Sequence, residues 1–160
     1  MSSEIFDVKE KVIVITGGYG TLGGSLAKQL IREKAKIVVL GRDKDKAITF
    51  AESLSKTDAL GLETDVLNKE TLIKVKETIL QRWGKIDVLI NAAGGNMKGA
   101  TIAPNDSLFD ISIEDFQKVT DLNLMGTVIP SLVFGEQMAK QKSGAIINVS
   151  SMAVPQVLTR

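Results

Sequence analysis

The residues of this chain that could carry chemistry gather in a few short clusters. The first is Thr16-Gly17-Gly18-Tyr19-Gly20-Thr21-Leu22-Gly23-Gly24; Gly41-Arg42, Asp65-Val66, Asn91-Ala92-Ala93-Gly94, Asn123 and Ser150-Ser151 follow at intervals. Glycine at the density of the first cluster suits a phosphate. A tight turn needs a backbone free to take positive φ, which Gly17 or Gly18 supplies cheaply. A pyrophosphate must reach the unpaired N–H groups at a helix start without meeting a Cβ. Gly23 would let that helix pack closely on the strand before it. The residues that are missing narrow the chemistry as much. With no histidine and no cysteine in 160 residues, thiol chemistry, disulfides and a histidine-activated serine are excluded within this chain. A transition metal loses its usual ligands as well, so no metal is expected.

Positioning these clusters takes strands and helices in alternation, and the hydrophobic pattern provides them. Val12-Ile13-Val14-Ile15 is a β-branched run without polar alternation, the pattern of a strand covered on both faces in a parallel sheet. Leu22, Leu26 and Leu30 recur every four residues after the glycine turn, as one face of a helix. Strand, glycine-rich turn and helix together form the opening of a dinucleotide-binding βαβ unit. Residues 36–40, 59–64, 86–90 and 144–149 read as further strands. Asp43 caps a helix carrying Ala47, Phe50, Ala51 and Leu54, and Gly84 closes one carrying Leu72, Val75, Ile79 and Trp83. Residues 97–110 make a long connection with Pro104, Asn105 and Asp106 as turn formers. Loops of this length are usually functional or mobile. A helix then opens with Ser112 capping and Asp115 reaching back. It runs to about residue 140, with apolar positions from Phe116 to Met138 and a kink at Pro130. This alternation over short connections makes the fold α/β, with a doubly wound parallel sheet.

Composition bounds the rest. The length suits one domain with a substantial core. Twenty basic and 19 acidic residues leave a net charge of +1, so nucleic acid and anionic membranes are not indicated as partners. No apolar run reaches the length of a membrane span, and the first residues have no signal-peptide character. The expected location is cytoplasmic.

Thr16-Gly17 with Gly23, Asp65-Val66, Asn91-Ala92-Ala93-Gly94, Asn123 and Ser150-Ser151 after a strand resemble, in order and spacing, the short-chain dehydrogenase/reductase family. The resemblance runs from about residue 9 to the end. Within that family, GGYGTLGG and NAAGGN with its long following loop look similar to the mannonate (fructuronate) reductase and gluconate 5-dehydrogenase branch. One departure is Thr21, where the family usually has glycine or alanine; Gly20 stands one place earlier. The resemblance implies a Rossmann-type sheet of strand order 3-2-1-4-5 and an NAD(P)-dependent oxidoreductase that interconverts a secondary alcohol and a ketone, with a sugar acid as substrate.

It also implies roles. Gly17, Gly18, Tyr19, Gly20, Thr21, Leu22 and Gly23 would cradle the cofactor pyrophosphate, with Tyr19 under it. Asp65, with Val66 beside it, would hold the adenine amino group, although a plain helix cap would look the same. Asn91, Ala92, Ala93 and Gly94 would steady the central strand and line the cofactor ribose, and Asn91 equally suits a turn. Asn123, on the apolar face of its helix, would hold a water in a proton relay, and Ser151 would polarise the substrate carbonyl. An acid at the end of the second strand would bind the ribose 2′-hydroxyl; Gly41 and Arg42 stand there instead, so NADP is favoured and NAD is the alternative. The apolar positions of the 112–140 helix exceed what one sheet face can cover, so a homo-oligomer is expected, as in the family. The family's tyrosine acid/base and the lysine four residues after it do not occur; the chain is expected to be the N-terminal part of a longer enzyme and inactive alone. The alternative is a non-catalytic nucleotide-binding or regulatory protein complete at residue 160.

Overall fold

The computed structural model describes residues 7–103 and 106–151. Its β-branched run, β1 (Val12–Thr16), is buried along its whole length. It lies between β2 (Lys36–Gly41) and β4 (Val88–Asn91), and β3 (Ala59–Glu63) and β5 (Ala145–Asn148) complete a five-stranded sheet of order β3-β2-β1-β4-β5. Every neighbouring pair is parallel, with Ile15 opposite Val39 on one side and Ile90 on the other. This is the expected Rossmann-type topology.

Because strand side chains alternate, β1 feeds two cores. Val12 and Val14 join Leu89 and a layer of large side chains: Leu72, Val75 and Ile79 from α3 (Lys69–Trp83), and Val133, Phe134 and Met138 from α5 (Gly126–Gln141). Ile13 and Ile15 face the other way, toward Ala27 of α1 (Thr21–Arg32) and Ala47 and Ala51 of α2 (Lys44–Leu54). That second layer is built for close approach. A Cβ at Gly61 of β3 would run into the Ala47 carbonyl of α2. The same economy corrects the leucine stripe expected for α1: its buried residues are Gly23, Gly24 and Ala27, and Leu22 is 52% exposed. Leu26 and Leu30 only flank that core.

Local signals set the ends. The side chains of Asp43, Asn68 and Ser112 accept from Lys46, Thr71 and Asp115 N–H groups and cap α2, α3 and α4 (Ile113–Thr120). Gly84 closes α3 at φ +74°. Ser112 makes only half of the expected box, since its own N–H goes to the Gly99 carbonyl and Asp115 pairs with Lys118. A complete box forms instead at Ser107 and Asp110, inside the 97–110 connection, which also holds two short 3₁₀ turns, Lys98–Ala100 and Leu108–Asp110. Pro104 and Asn105 lie outside the described residues. The single helix expected from 112 to 140 is two, joined by a π turn over Asp121–Met125. Pro130 sits buried within α5. A proline disturbs the turn before it, and the carbonyl four residues earlier belongs to Gly126, where the π turn ends. Among the described residues no helix is long and apolar enough to cross a membrane.

At the opposite edge of the sheet from the glycine turn, Asp87 ties β1 to β4. Its carboxylate accepts the Val12 N–H at 2.8 Å and lies 2.9 Å from Lys85 and 3.7 Å from Lys11. Burial pushes this carboxyl up, but the Val12 N–H, Lys85 and Lys11 outweigh it and hold it below its ordinary value of 3.8. A depressed folded value means that this stability is present above the unfolded value and lost as pH falls through the folded one. Urea midpoints of the chain should therefore drop as pH falls below about 4, and Asp87→Asn should lower the midpoint at neutral pH while flattening that acid limb.

Candidate functional site

The carboxyl ends of β1 and β4 face each other at the point where the strand order reverses, the place where open parallel sheets bind ligands. Two contacts make the floor. Thr16, fully buried, turns its hydroxyl oxygen to accept both the Ala92 and the Ala93 N–H, each at 3.1 Å. Gly17 then takes φ +63°, and a Cβ there would lie 3.0 Å from both the Ala92 carbonyl oxygen and Ala93 Cα. Only glycine lets the two loops meet. A Cβ at Gly23 would strike the Gly17 carbonyl, so α1 starts hard against the same turn.

Above this floor is a cleft of about 380 Å³. Of the residues singled out in the sequence it brings together Gly17, Tyr19, Gly20, Thr21, Leu22, Gly23, Arg42, Val66, Ala92, Ala93 and Gly94. The other expected residues stand off its lining. Gly18 packs between strands, where a Cβ would lie 2.9 Å from the Ile15 carbonyl oxygen and 3.1 Å from Val39 Cα. The exposed Asp65 accepts from Leu67 N–H at 3.0 Å; the cap of α3 is Asn68. Asn91 is 2% exposed, and its amide nitrogen donates to Ser131 Oγ and Asn148 Oδ1, both at 2.9 Å. It pins β4, β5 and α5 together. Its Oδ1 has no partner among the described residues.

Asn123 lies in the π turn and, contrary to its expected apolar surroundings, is exposed. Both ends of its amide grip Gly95, donating to the carbonyl at 2.8 Å and accepting the N–H at 3.2 Å. Its second proton goes to the Val119 carbonyl. No side-chain proton is left to give. A Cβ on Gly94 would lie 2.7 Å from Asn123 Oδ1, so that glycine makes the clamp possible. Ser151, exposed, follows the carboxyl end of β5, where Val149 N–H still bonds to Asn91 carbonyl.

Gly41, Thr64 and Leu122 line the cleft as well; the sequence marked Gly41 only as the place where an acid is missing, and it did not mark the other two as site residues. Gly41 and Thr64 end or follow β2 and β3, and Thr64 N–H bonds the Gly41 carbonyl at 2.9 Å; their place at the carboxyl ends of parallel strands was the available signal. Leu122 is brought in by the π turn and carried no signal. Tyr19 lines the cleft with its ring across Gly41, and its hydroxyl accepts the Asp43 N–H at 3.1 Å.

The polar character of the cleft fits an anionic dinucleotide. At the start of α1, Gly20 provides no side-chain acceptor and the first turn holds no acid, whereas α2, α3 and α4 are all side-chain capped. The first N–H groups of α1 are thus left for a ligand, at the positive end of the helix. Arg42 is exposed on the cleft wall and has no carboxylate partner among the described residues. Asp43, next to it, is committed to capping α2: the Lys46 N–H, and then the Lys46 side chain, hold its carboxyl below the ordinary value.

Thr16→Val should test the floor. It keeps shape but strips two N–H groups of their acceptor, which should cost about 1–3 kcal/mol in denaturant unfolding and weaken dinucleotide binding in the same variant.

The sequence matches the family model described as short chain dehydrogenase over residues 11–158. It is 34% identical over 160 residues to an uncharacterized oxidoreductase, UxuB, of Bacillus subtilis, covering 94% of this chain and 58% of that protein. A proposed D-mannonate oxidoreductase from Haemophilus influenza, solved with bound NAD, superposes with a TM-score of 0.85 at 34% identity, over 96% of this chain and 59% of that one. A xylitol dehydrogenase bound to NAD+ gives 0.84 at 27% identity, over 94% and 56%. The chain thus spans less than two thirds of the length of these relatives. Fold, turn, cleft and sequence agree: this chain belongs to the short-chain dehydrogenase family.

Proposed function

We propose that residues 1–160 are the dinucleotide-binding domain of an NADP-preferring enzyme that interconverts a secondary alcohol and a ketone on a sugar acid, in the cytoplasm. The observation that carries this is the end of β2: Gly41 offers no acid to a ribose 2′-hydroxyl, and Arg42 stands unpaired on the cleft wall beside it. NAD is the alternative cofactor, supported by the NAD in the Haemophilus relative. The sugar-acid assignment is supported by that same relative, whose description names D-mannonate, and by the NAAGGN stretch with its long loop.

The bound nicotinamide supplies or takes up the hydride. The chain binds and orients. The first turn of α1 holds the pyrophosphate, Arg42 the adenosine end, and Ala92, Ala93 and Gly94 the ribose. Ser151 donates to the substrate carbonyl oxygen, where negative charge gathers. Asn123 fixes the Gly95 main chain beside the cleft; both its amide protons are spent on carbonyls, so it serves a relay water only as an acceptor. A second copy covers the apolar face of α4 and α5, where Phe116 is 55% and Leu132 63% exposed.

Titration with NADPH and NADH should show tighter NADPH binding. Arg42→Ala should weaken NADPH alone by on the order of 1.5–3 kcal/mol, the range of a hydrogen bond to a charged group; equal losses for both cofactors would overturn the preference. Turnover of a keto sugar acid, followed by NADPH absorbance, should stay near background for the 160-residue chain, because general acid catalysis is worth about 10²–10⁴ in rate. A longer form carrying a Tyr-x-x-x-Lys segment should be active and should lose most activity on Ser151→Ala. If that form binds NADPH yet stays inactive, the non-catalytic alternative holds. Sedimentation at high concentration should read a dimer or larger species.

A further inference from the structure

The one tyrosine of the chain stands where a cofactor-discriminating acid would have to stand. Its ring lies across the end of β2: a Cβ at Gly41 would be 2.7 Å from Tyr19 Cζ and 2.9 Å from Tyr19 Oη, and closer still to Cε1. No side chain of any kind fits at position 41 while that ring is in place. The hydroxyl then accepts the Asp43 N–H at 3.1 Å, which fixes the short turn from β2 into α2. Arg42 springs from that turn. Asp43 itself caps α2 through Lys46 N–H at 3.0 Å and pairs with the Lys46 ammonium at 3.0 Å, so the nearest acid is spent elsewhere. The Tyr19 hydroxyl proton has no acceptor among the described residues, and the ring lines the same cleft as Arg42.

We infer that Tyr19 is the specificity-determining residue of the adenosine end: its ring excludes an acid at position 41, and its hydroxyl anchors the turn that presents Arg42 to a 2′-phosphate. Tyr19 and Gly41 are then one interlocked unit. Inserting an acid at Gly41, the change that would create recognition of a 2′-hydroxyl, cannot succeed without also removing the ring. The anchoring role rests on the NADP preference proposed above; the interlock does not.

The probes are 2′,5′-ADP and 5′-AMP, which carry the adenosine end with and without the 2′-phosphate. Their affinities would be measured by calorimetry on the chain and on Tyr19→Phe, Gly41→Asp, Tyr19→Ser and the Tyr19→Ser/Gly41→Asp double variant, with melting temperatures alongside. Tyr19→Phe keeps the ring and loses the anchor; it should weaken 2′,5′-ADP about tenfold or more and leave 5′-AMP within about twofold. Gly41→Asp alone should lower the melting temperature and weaken both probes. In the double variant the melting temperature should return to that of Tyr19→Ser, and the preference should pass to 5′-AMP. Equal weakening of both probes by Tyr19→Phe would remove the anchoring role. Gly41→Asp alone keeping the native melting temperature and turning to 5′-AMP would overturn the interlock. If the unaltered chain binds both probes equally, the NADP preference and the anchoring role fall together. The interlock is then decided by whether the two substitutions are non-additive in melting temperature.

Discussion

Everything at the cleft depends on two stretches of main chain meeting without a side chain between them. The β1 turn and the loop after β4 approach so closely that a Cβ at Gly17 would press on both Ala92 and Ala93, and the Thr16 hydroxyl oxygen takes up the two N–H groups that face it there. Parallel strands on either side of a switch point diverge as they leave the sheet, and the crevice between them is the binding place. Here the crevice is stapled at its base, so its walls begin from a fixed line. Gly23 extends the constraint: because α1 can start against the Gly17 carbonyl, its first N–H groups open onto that line rather than away from it. The lack of a cap on α1 is a consequence of the same geometry, since any capping side chain at Gly20 would project toward the space a phosphate needs.

The two faces of the sheet support this floor in different ways. On the α1 and α2 side, glycine and alanine bring helix and strand backbones almost into contact, which leaves little room for relative motion. On the α3 and α5 side, large side chains surround the fully buried Phe134. Near the cleft a polar pin joins them. Asn91 reaches both Ser131 of α5 and Asn148 of β5, so α5 and the edge strand are indexed to β4 by hydrogen bonds rather than by packing alone. Such a network is directional and therefore fixes register. The π turn ahead of α5 can then present Asn123 to Gly95 reproducibly.

The parts legible in the sequence are those in which burial or backbone geometry left no choice. β1 and β2 are covered on both faces, so their apolar runs are unbroken, and the caps at Asp43 and Gly84 were named from residue type alone. The leucine spacing of α1 misled because the helix buries glycine and alanine, residues that carry almost no hydropathy signal; the leucines flank the contact. The π turn was invisible because one extra residue shifts an apolar pattern by less than the tolerance of the pattern itself. Asn123 therefore seemed to face the apolar core when it faces the loop after β4. Thr64 lines the cleft through its position at a strand end, not through side-chain chemistry, and a search for reactive residues passes over it. Asp65 offered the opposite case, a reactive side chain occupied with its own turn.

The glycine-rich turn carries Tyr19 and Thr21 on either side of Gly20. Gly20 forms the N-cap and lets the helix begin there with Thr21 already in its first turn, while the Tyr19 ring lies across Gly41 at the end of β2. One short segment thus builds two parts of the cleft: its main chain opens the first turn of α1, and its single aromatic side chain covers the end of β2. The carboxyl end of β5 differs in kind. At the glycine turn, backbone placement is enforced by several contacts at once, whereas Ser151 follows the edge strand as an exposed residue.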